Sequence, residues 1–399
     1  MSGSGLSPLR LGRLREALAR HVDSGEVPGL VALVARRGEV HVVELGTTEA
    51  GGAAPMRRDA IFRIASVTKQ IAAVAAMTLV EDCRLRLDDP VDELLPELAN
   101  RNVLRRPDGP LDDTVPAHRP ITLRDLLTFR LGLGAVMEPP GTYPIQVAME
   151  EAGLEPGPDS PPVEPGEWMK RIGGLPLMYQ PGEKFLYHTG SDVLGVLMAR
   201  VTGQPLGEVL AERVLGPLGM ADTGFHVPAT KLGRLPASYE PDPRTGELVL
   251  HDDPRHSRWG QPPAFPSAGG GLVSTADDLL AFCTMMLNKG RYRGERILSR
   301  PSVELMTTDQ LTPRQKEENA IFFDGRSGWG LGFHVILRRE TLATSPGRFG
   351  WNGGTGTSVY TDPAEELIGI LLTQRSMTSP GPPTVYRDFW TGAYQAIDD

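Results

Sequence analysis

The stretch that most restricts how this chain can fold begins at Ser66. Beyond it no Gly or Pro occurs until Pro90, in a chain with 46 Gly and 36 Pro among 399 residues. Val67, Ile71, Ala75, Met77, Leu79 and Val80 set apolar side chains around much of its circumference. That pattern predicts a helix with much of its surface buried. Residues three apart on a helix lie one above the other, so Lys69 stands one turn from Ser66 on the same face. At a helix start, unpaired N–H groups and the positive dipole end would lower the cost of an anion on the Ser66 oxygen. The mostly apolar neighbours of Lys69 suit a desolvated amine, whose pKa falls and which can then act as a base. Ser66 and Lys69 are therefore a candidate activated nucleophile. The plainer reading makes Ser66 an N-cap and Lys69 a solvated side chain. Against it, this is the only Ser-x-x-Lys in the sequence, and positive charge is otherwise carried mainly by Arg.

Around this stretch the chain reads as a helix, strands, many helices, strands and a last helix. Leu11, Leu14, Leu18 and Val22 fall at helical spacing, and the first 23 residues lack the basic-then-apolar pattern of a signal segment. Gly29 to Leu45, valine-rich around Arg37-Gly38, reads as a β-hairpin, and Ala60 to Ile64 as a short strand. Thr122 caps a helix over Ile121 to Phe129. Further helices are expected from Gly182 to Val201 after a Pro-Gly turn, and from Leu206 to Leu215, closed by Gly216-Pro217. Residues 238–253 suggest a hairpin about Pro243 to Gly246. The glycines 269–271 lead into a helix over Ala276 to Leu287. Strands are expected at Gly328 to Leu337, Gly347 to Gly353, Ser358 to Thr361 and Leu367 to Thr373, with a final helix around Val385 to Ile397. Residues 135–166 are too dense in Pro and Gly for long helices or central strands. They read either as a disordered surface excursion or as a folded loop over a pocket, given Met137, Tyr143, Ile145, Met149 and Trp168.

This order predicts an α/β fold of the α+β type. An antiparallel sheet is flanked by N- and C-terminal helices, and a mostly helical lobe is inserted between them. The expected domains are residues 1–65 with 268–399, and residues 66–267. The crevice between them is the expected site.

Several function classes fall away. A net charge of −9, with nothing more basic than Arg101, Arg105 and Arg106, offers no surface for nucleic acid. No run of about eighteen apolar residues exists to span a membrane. Cys83 and Cys283 sit in apolar helical contexts and read as buried thiols, which leaves a cytoplasmic location as the default. His251, Asp252, Asp253 and His256 are interrupted by Pro254 and read as a surface hairpin, so no metal and no cofactor is expected. The Gly-x-Ser-x-Gly elbow and the Rossmann and P-loop fingerprints are absent from the sequence.

Ser66-Val67-Thr68-Lys69, Tyr187 after Pro181-Gly182, and Trp351-Asn352-Gly353 resemble the motifs of the serine β-lactamase and penicillin-binding-protein superfamily. Within it the chain looks most like the class C β-lactamase-like branch, which includes the family VIII carboxylesterases. Pro90, Pro217-Leu218-Gly219-Met220 and Asp362-Pro363 fall in family order, so the resemblance covers nearly the whole chain. It implies that Ser66 attacks an acyl carbonyl, that Lys69 takes or relays its proton, and that Tyr187 acts as base and then as acid. A cation beside Tyr187 would favour its phenolate. The resemblance also implies that the backbone N–H groups of Ser66 and Gly354 hold the oxyanion. Tyr179 lies close enough in sequence to compete with Tyr187 for this role.

Two departures bear on substrate. The family pattern carries Asn two residues after the Tyr, where this chain has Thr189, and Lys-Thr-Gly on the last strand, where Trp351 replaces the Lys. Losing that cation removes a partner for a substrate carboxylate and adds an aromatic wall. Thr189, Trp351, Asn352 and Gly353 are thus substrate-binding candidates. His188 is either a further one or, as favoured here, solvent-facing. The expected activity is hydrolysis of small or short-chain carboxylic esters, with a small-molecule ester as the expected partner and the oligomeric state open. Acyl transfer, amide or lactam hydrolysis by the same groups is the first alternative. A catalytically silent ligand-binding member is the second.

Overall fold

Apolar runs from opposite ends of the chain meet in one sheet. The structure, a computed structural model, describes residues 3–399; residues 1 and 2, counted above with the sheet domain, lie outside the described residues. After helix α1 (Pro8–Asp23), strands β1 (Gly29–Arg36) and β2 (Glu39–Gly46) form the expected hairpin about Arg37-Gly38. Helix α2 (Thr68–Glu81) and helix α3 (Thr189–Thr202) lie in the long central part of the chain, and helix α4 (Ala276–Leu287) closes it. The chain then returns through β3 (Ser327–Trp329), β4 (His334–Ile336), β5 (Phe349–Gly353), β6 (Thr357–Asp362) and β7 (Leu367–Thr373) to helix α5 (Thr384–Gln395). The seven-stranded sheet has the order β3-β4-β5-β6-β7-β1-β2, and every neighbouring pair is antiparallel. Leu30 pairs with Thr373 and Arg36 with Leu367, so β1 closes on the strand farthest from it in sequence.

All eight residues of β1 are buried, because both faces of the sheet are covered. Leu30, Ala32 and Val34 face α1 and α5, packing with Leu14, Leu18, Phe389 and Ala393. Val31 and Leu33 face the main core with Ile71, Val74, Ile370 and Leu372. Helix α2 runs through that core with Thr68 to Leu79 buried throughout. This explains its apolar circumference.

Three local expectations are revised, and for residues 135–166 one of the two readings is chosen. Gly328 to Leu337 is two strands, β3 and β4, folded back on each other rather than one. Gly216-Pro217 does not close the preceding helix. The helix widens into a π segment over Ala211–Leu215 and runs on to Leu218. A proline has no N–H to give and clashes with the carbonyl four residues back, and a widened turn accommodates both. Cys83 is exposed, because α2 ends at Glu81 and leaves it on the following turn at φ +58°; Cys283 is buried, and both are free thiols. Residues 135–166 are folded rather than loose. They hold a helix over Pro144–Glu151 and run into another over Pro165–Gly174, both beginning on proline, with Ile145, Met149 and Trp168 buried. Among the described residues no helix is long and apolar enough to cross a membrane.

Candidate active site

From Ala60 to Leu79 every residue is buried except Ser66. Ser66 sits in a single tight turn, Ala65–Val67, that leads into α2 rather than at the start of α2 itself. Its hydroxyl caps nothing, which removes the N-cap reading. Ala65 just before it holds φ +41° while only 1% exposed, a conformation that costs a non-glycine residue about 1–3 kcal/mol. The far end of the chain holds this turn in place. Thr355 Oγ1 donates to the Arg63 carbonyl at 2.5 Å, and Thr357 Oγ1 donates to the Ile64 carbonyl at 3.2 Å. Gly353 makes the approach possible, since a Cβ there would lie 2.3 Å from the Ile64 oxygen. Among the described residues, neither the Ser66 N–H nor the Gly354 N–H donates to a protein acceptor. Two unpaired donors thus flank a solvent-reached hydroxyl.

Lys69 is 1% exposed, and its Nζ lies 3.0 Å from Ser66 Oγ and 3.1 Å from His188 Nδ1. It also donates to the carbonyl of Gly269. Burial pulls the amine down to about 7, against the opposing pull of the Asp192 charge. Lys69 is therefore poised between its two forms near neutral pH.

Tyr187, partly exposed, lies beside the Ser66 hydroxyl, and its oxygen accepts from Trp351 Nε1 at 2.5 Å. The expected drift toward phenolate runs the other way. Burial pushes the phenol above its ordinary value, and the neighbouring Ser66 and Trp351 only partly oppose it. The Lys69 amine lies over the ring face, 4.6 Å from its centroid. The ring is walled by Phe129 at 5.1 Å, Phe322 at 5.3 Å and Trp351 at 5.7 Å between centroids. Tyr179 is elsewhere: its hydroxyl accepts from Lys184, and it lines a small separate groove with Met137 and Ile321.

His188 is not solvent-facing. It is 6% exposed and lies behind Lys69, with Nε2 3.2 Å from Asp192 Oδ2. Its backbone (φ +81°, ψ −67°) with Thr189 N–H on the Tyr187 carbonyl at 3.2 Å forms a strained γ-turn that points the imidazole inward. Burial and the neighbouring amine both hold its pKa below the ordinary histidine value. Asp192, which the sequence reading missed, accepts from Ser267 Oγ at 2.7 Å and from the Gly269 N–H at 3.0 Å. Its burial favours the neutral acid, but hydrogen bonds from His188, Ser267 and Gly269 together bring the carboxyl below its usual range. The one available signal was the i,i+4 spacing of His188 and Asp192. Gly269 fits between them, since a Cβ would lie 2.8 Å from His188 Nε2.

The remaining candidates separate. Thr189 is the buried first residue of α3. Trp351 reaches Tyr187, so its neighbour Asn352 points to the opposite face of the sheet. There Asn352 Oδ1 accepts from Ser358 Oγ, which also accepts from Trp390 Nε1 of α5. The Asn352 amide is thus turned away from Ser66. The carbonyls of Gly157 and Pro158 lie 3.9 and 3.7 Å from where a Cβ on Gly270 would sit, so the Pro-rich segment reaches the edge of the site. Asp159 next to them pairs with Arg258. Of the acidic residues weighed for metal, Asp252 pairs with Arg63 and Asp253 with Arg255. Among the described residues no three His, Cys, Asp or Glu are grouped to hold a metal ion.

Comparison with known proteins gives consistent results. The Beta-lactamase family profile matches residues 14–387. Protein Rv1367c of Mycobacterium tuberculosis is 40% identical over 88% of this chain and 87% of its own length. Esterase EstB of Burkholderia gladioli is 31% identical over 96% of this chain and 98% of its own length. Among solved structures, EstCE1, a hydrolase with promiscuous acyltransferase activity, superposes with a TM-score of 0.79 at 25% identity, covering 98% of this chain and 99% of the other.

Proposed function

The chain belongs to the beta-lactamase family, and from that premise we propose that it is a serine carboxylesterase acting on uncharged esters of small or short-chain acyl groups. The observation that carries the reading is a partly exposed hydroxyl, Ser66, in contact with both a near-neutral buried amine and a phenol. Ser66 Oγ attacks the ester carbonyl as its proton passes to Lys69, and the N–H groups of Ser66 and Gly354 take the oxyanion. The carbon–oxygen bond to the alcohol then breaks. Tyr187, a phenol at rest, is the acid beside the departing alkoxide. Water releases the acyl group from Ser66 by the reverse sequence. Trp351 replaces a cationic partner with an indole, which favours a neutral ester over a carboxylate-bearing lactam or peptide. EstB, an esterase by name, supports the same choice.

Incubation with p-nitrophenyl butyrate and, separately, nitrocefin tests this. Ester turnover with a butyryl adduct on Ser66 is expected. Nitrocefin turnover of equal rate would make the protein a lactamase, and no turnover with no adduct would leave a binding role. An added alcohol that diverts the acyl group from water would reveal the transferase variant, which the activity named for EstCE1 brings forward.

The pH dependence follows from Lys69. The amine is a base only when neutral, which with a pKa of about 7 means above that pH. The kcat/KM for p-nitrophenyl butyrate is expected to rise about tenfold per unit on the acid side of this value and to level off above it. A profile flat across the neutral range would remove Lys69 as the base.

A further inference from the structure

Behind Lys69 lies a closed chain of buried hydrogen bonds that the proposed reaction does not itself use. His188 Nε2 faces Asp192, whose other oxygen is held by Ser267 Oγ and the Gly269 N–H. A carboxylate only accepts, so Nε2 carries the imidazole proton and Nδ1 presents a lone pair. The Lys69 amine therefore donates one N–H to His188 Nδ1 and another to the Gly269 carbonyl, which also only accepts. A neutral amine has two N–H bonds and one lone pair. With both hydrogens committed, the lone pair is left pointing at the third neighbour, Ser66 Oγ, 3.0 Å away. The chain accepts a strained γ-turn at His188 to put the imidazole in this place.

We infer that His188 and Asp192 are positioning residues that aim the Lys69 lone pair at Ser66 and hold the ammonium once it forms. The inference rests on the Ser66 acyl-enzyme reading above. When Oγ attacks, its proton becomes the third N–H of Lys69, while the bonds to His188 and Gly269 stay in place. The charge on Asp192 then stabilises the cation through the imidazole. The titratable groups facing Lys69 are Tyr187, His188 and Asp192, from α3 and the turn before it. The 267–269 segment offers only hydroxyl, amide and carbonyl groups.

The test is the pH profile of kcat/KM for p-nitrophenyl butyrate in three variants, alongside the mass of the acyl adduct on Ser66. Asp192→Asn removes the charge that raises the Lys69 pKa, so the ascending limb is expected to move to lower pH by about half a unit or more. His188→Leu removes the acceptor and is expected to lower kcat/KM about 10²-fold. His188→Asn restores an acceptor oxygen on a residue that tolerates positive φ, and is expected to recover most of that loss. Leucine also burdens the strained turn, so Asp192→Asn, which leaves the turn untouched, decides the matter if His188→Leu folds poorly. A limb that stays at the wild-type pH in Asp192→Asn, or moves upward, overturns the inference. So does equal activity in the two His188 variants. If the wild-type protein forms no Ser66 adduct, the acyl-enzyme reading itself has failed. If the adduct forms and the limb does not move, only the positioning role is lost.

Discussion

Replacing Ser66 by alanine is expected to bring ester hydrolysis down to the level of the uncatalysed reaction with bound substrate, a loss of about 10⁴-fold or more. The reason is geometric. Ser66 is the one residue between Ala60 and Leu79 that is not buried, the Lys69 amine bonds to its oxygen, and the Tyr187 phenol lies beside it. Removing that oxygen leaves a base and an acid with nothing to activate. Lys69→Ala is expected to cost about 10³-fold, since the hydroxyl keeps its place but loses its proton acceptor. Because the two act as a unit, the double variant is expected to lose no more than Ser66→Ala by itself. Steady-state kinetics on p-nitrophenyl butyrate would check all three. A Lys69→Ala enzyme within a few-fold of wild type would take the amine out of the chemistry.

Gly353→Ala is expected to damage the site without touching any reacting atom. The added methyl would lie 2.2 Å from Thr357 Oγ1 and 2.3 Å from the Ile64 carbonyl, and the second of these is backbone that cannot swing away. Either β5 moves outward or the turn carrying Ser66 moves inward. Both break the Thr357 bond to Ile64 that fixes the two segments together. Overpacking of this kind costs about 1–3 kcal/mol in stability. The expected result is a lowered Tm together with a fall in kcat of about 10²-fold, as expected when an oxyanion donor is displaced. A variant with a lowered Tm but a normal kcat would show that the Gly354 N–H is not needed where it stands.

What was legible in the sequence is what depends on short spacing. Ser66 and Lys69 lie three residues apart, and the helix geometry that aligns them is local. The hairpin at Arg37-Gly38 and the strand Leu367–Thr373 were equally plain, because apolar alternation and turn residues act over a few positions. The site's second layer was not legible, since it depends on contacts that no short window contains. His188 read as solvent-facing because a positive φ on a histidine has no sequence signal, and that turn alone decides where its ring points. Asp192 meets Ser267 and Gly269 across more than seventy residues of chain. Asn352 was misplaced for a simpler reason: next to Trp351 on a strand, it must face the other way. Cys83 looked buried from its apolar neighbours, but the helix that would have buried it stops two residues earlier.

The clamp between Ile64 and Thr357 has a bearing on how the protein is made. Its two halves lie 293 residues apart in sequence, and strand β7, which carries β6 back to β1, is translated later still. During synthesis, a nascent chain that already carries Ser66 and Lys69 still lacks the strand that bears Trp351 and the Gly354 that follows it. Contacts of such long range form late in folding, after the costly closure of the intervening loop. On the proposed mechanism, acylating power would be withheld from partly built chains, and its onset would report that translation and folding have both run nearly to completion.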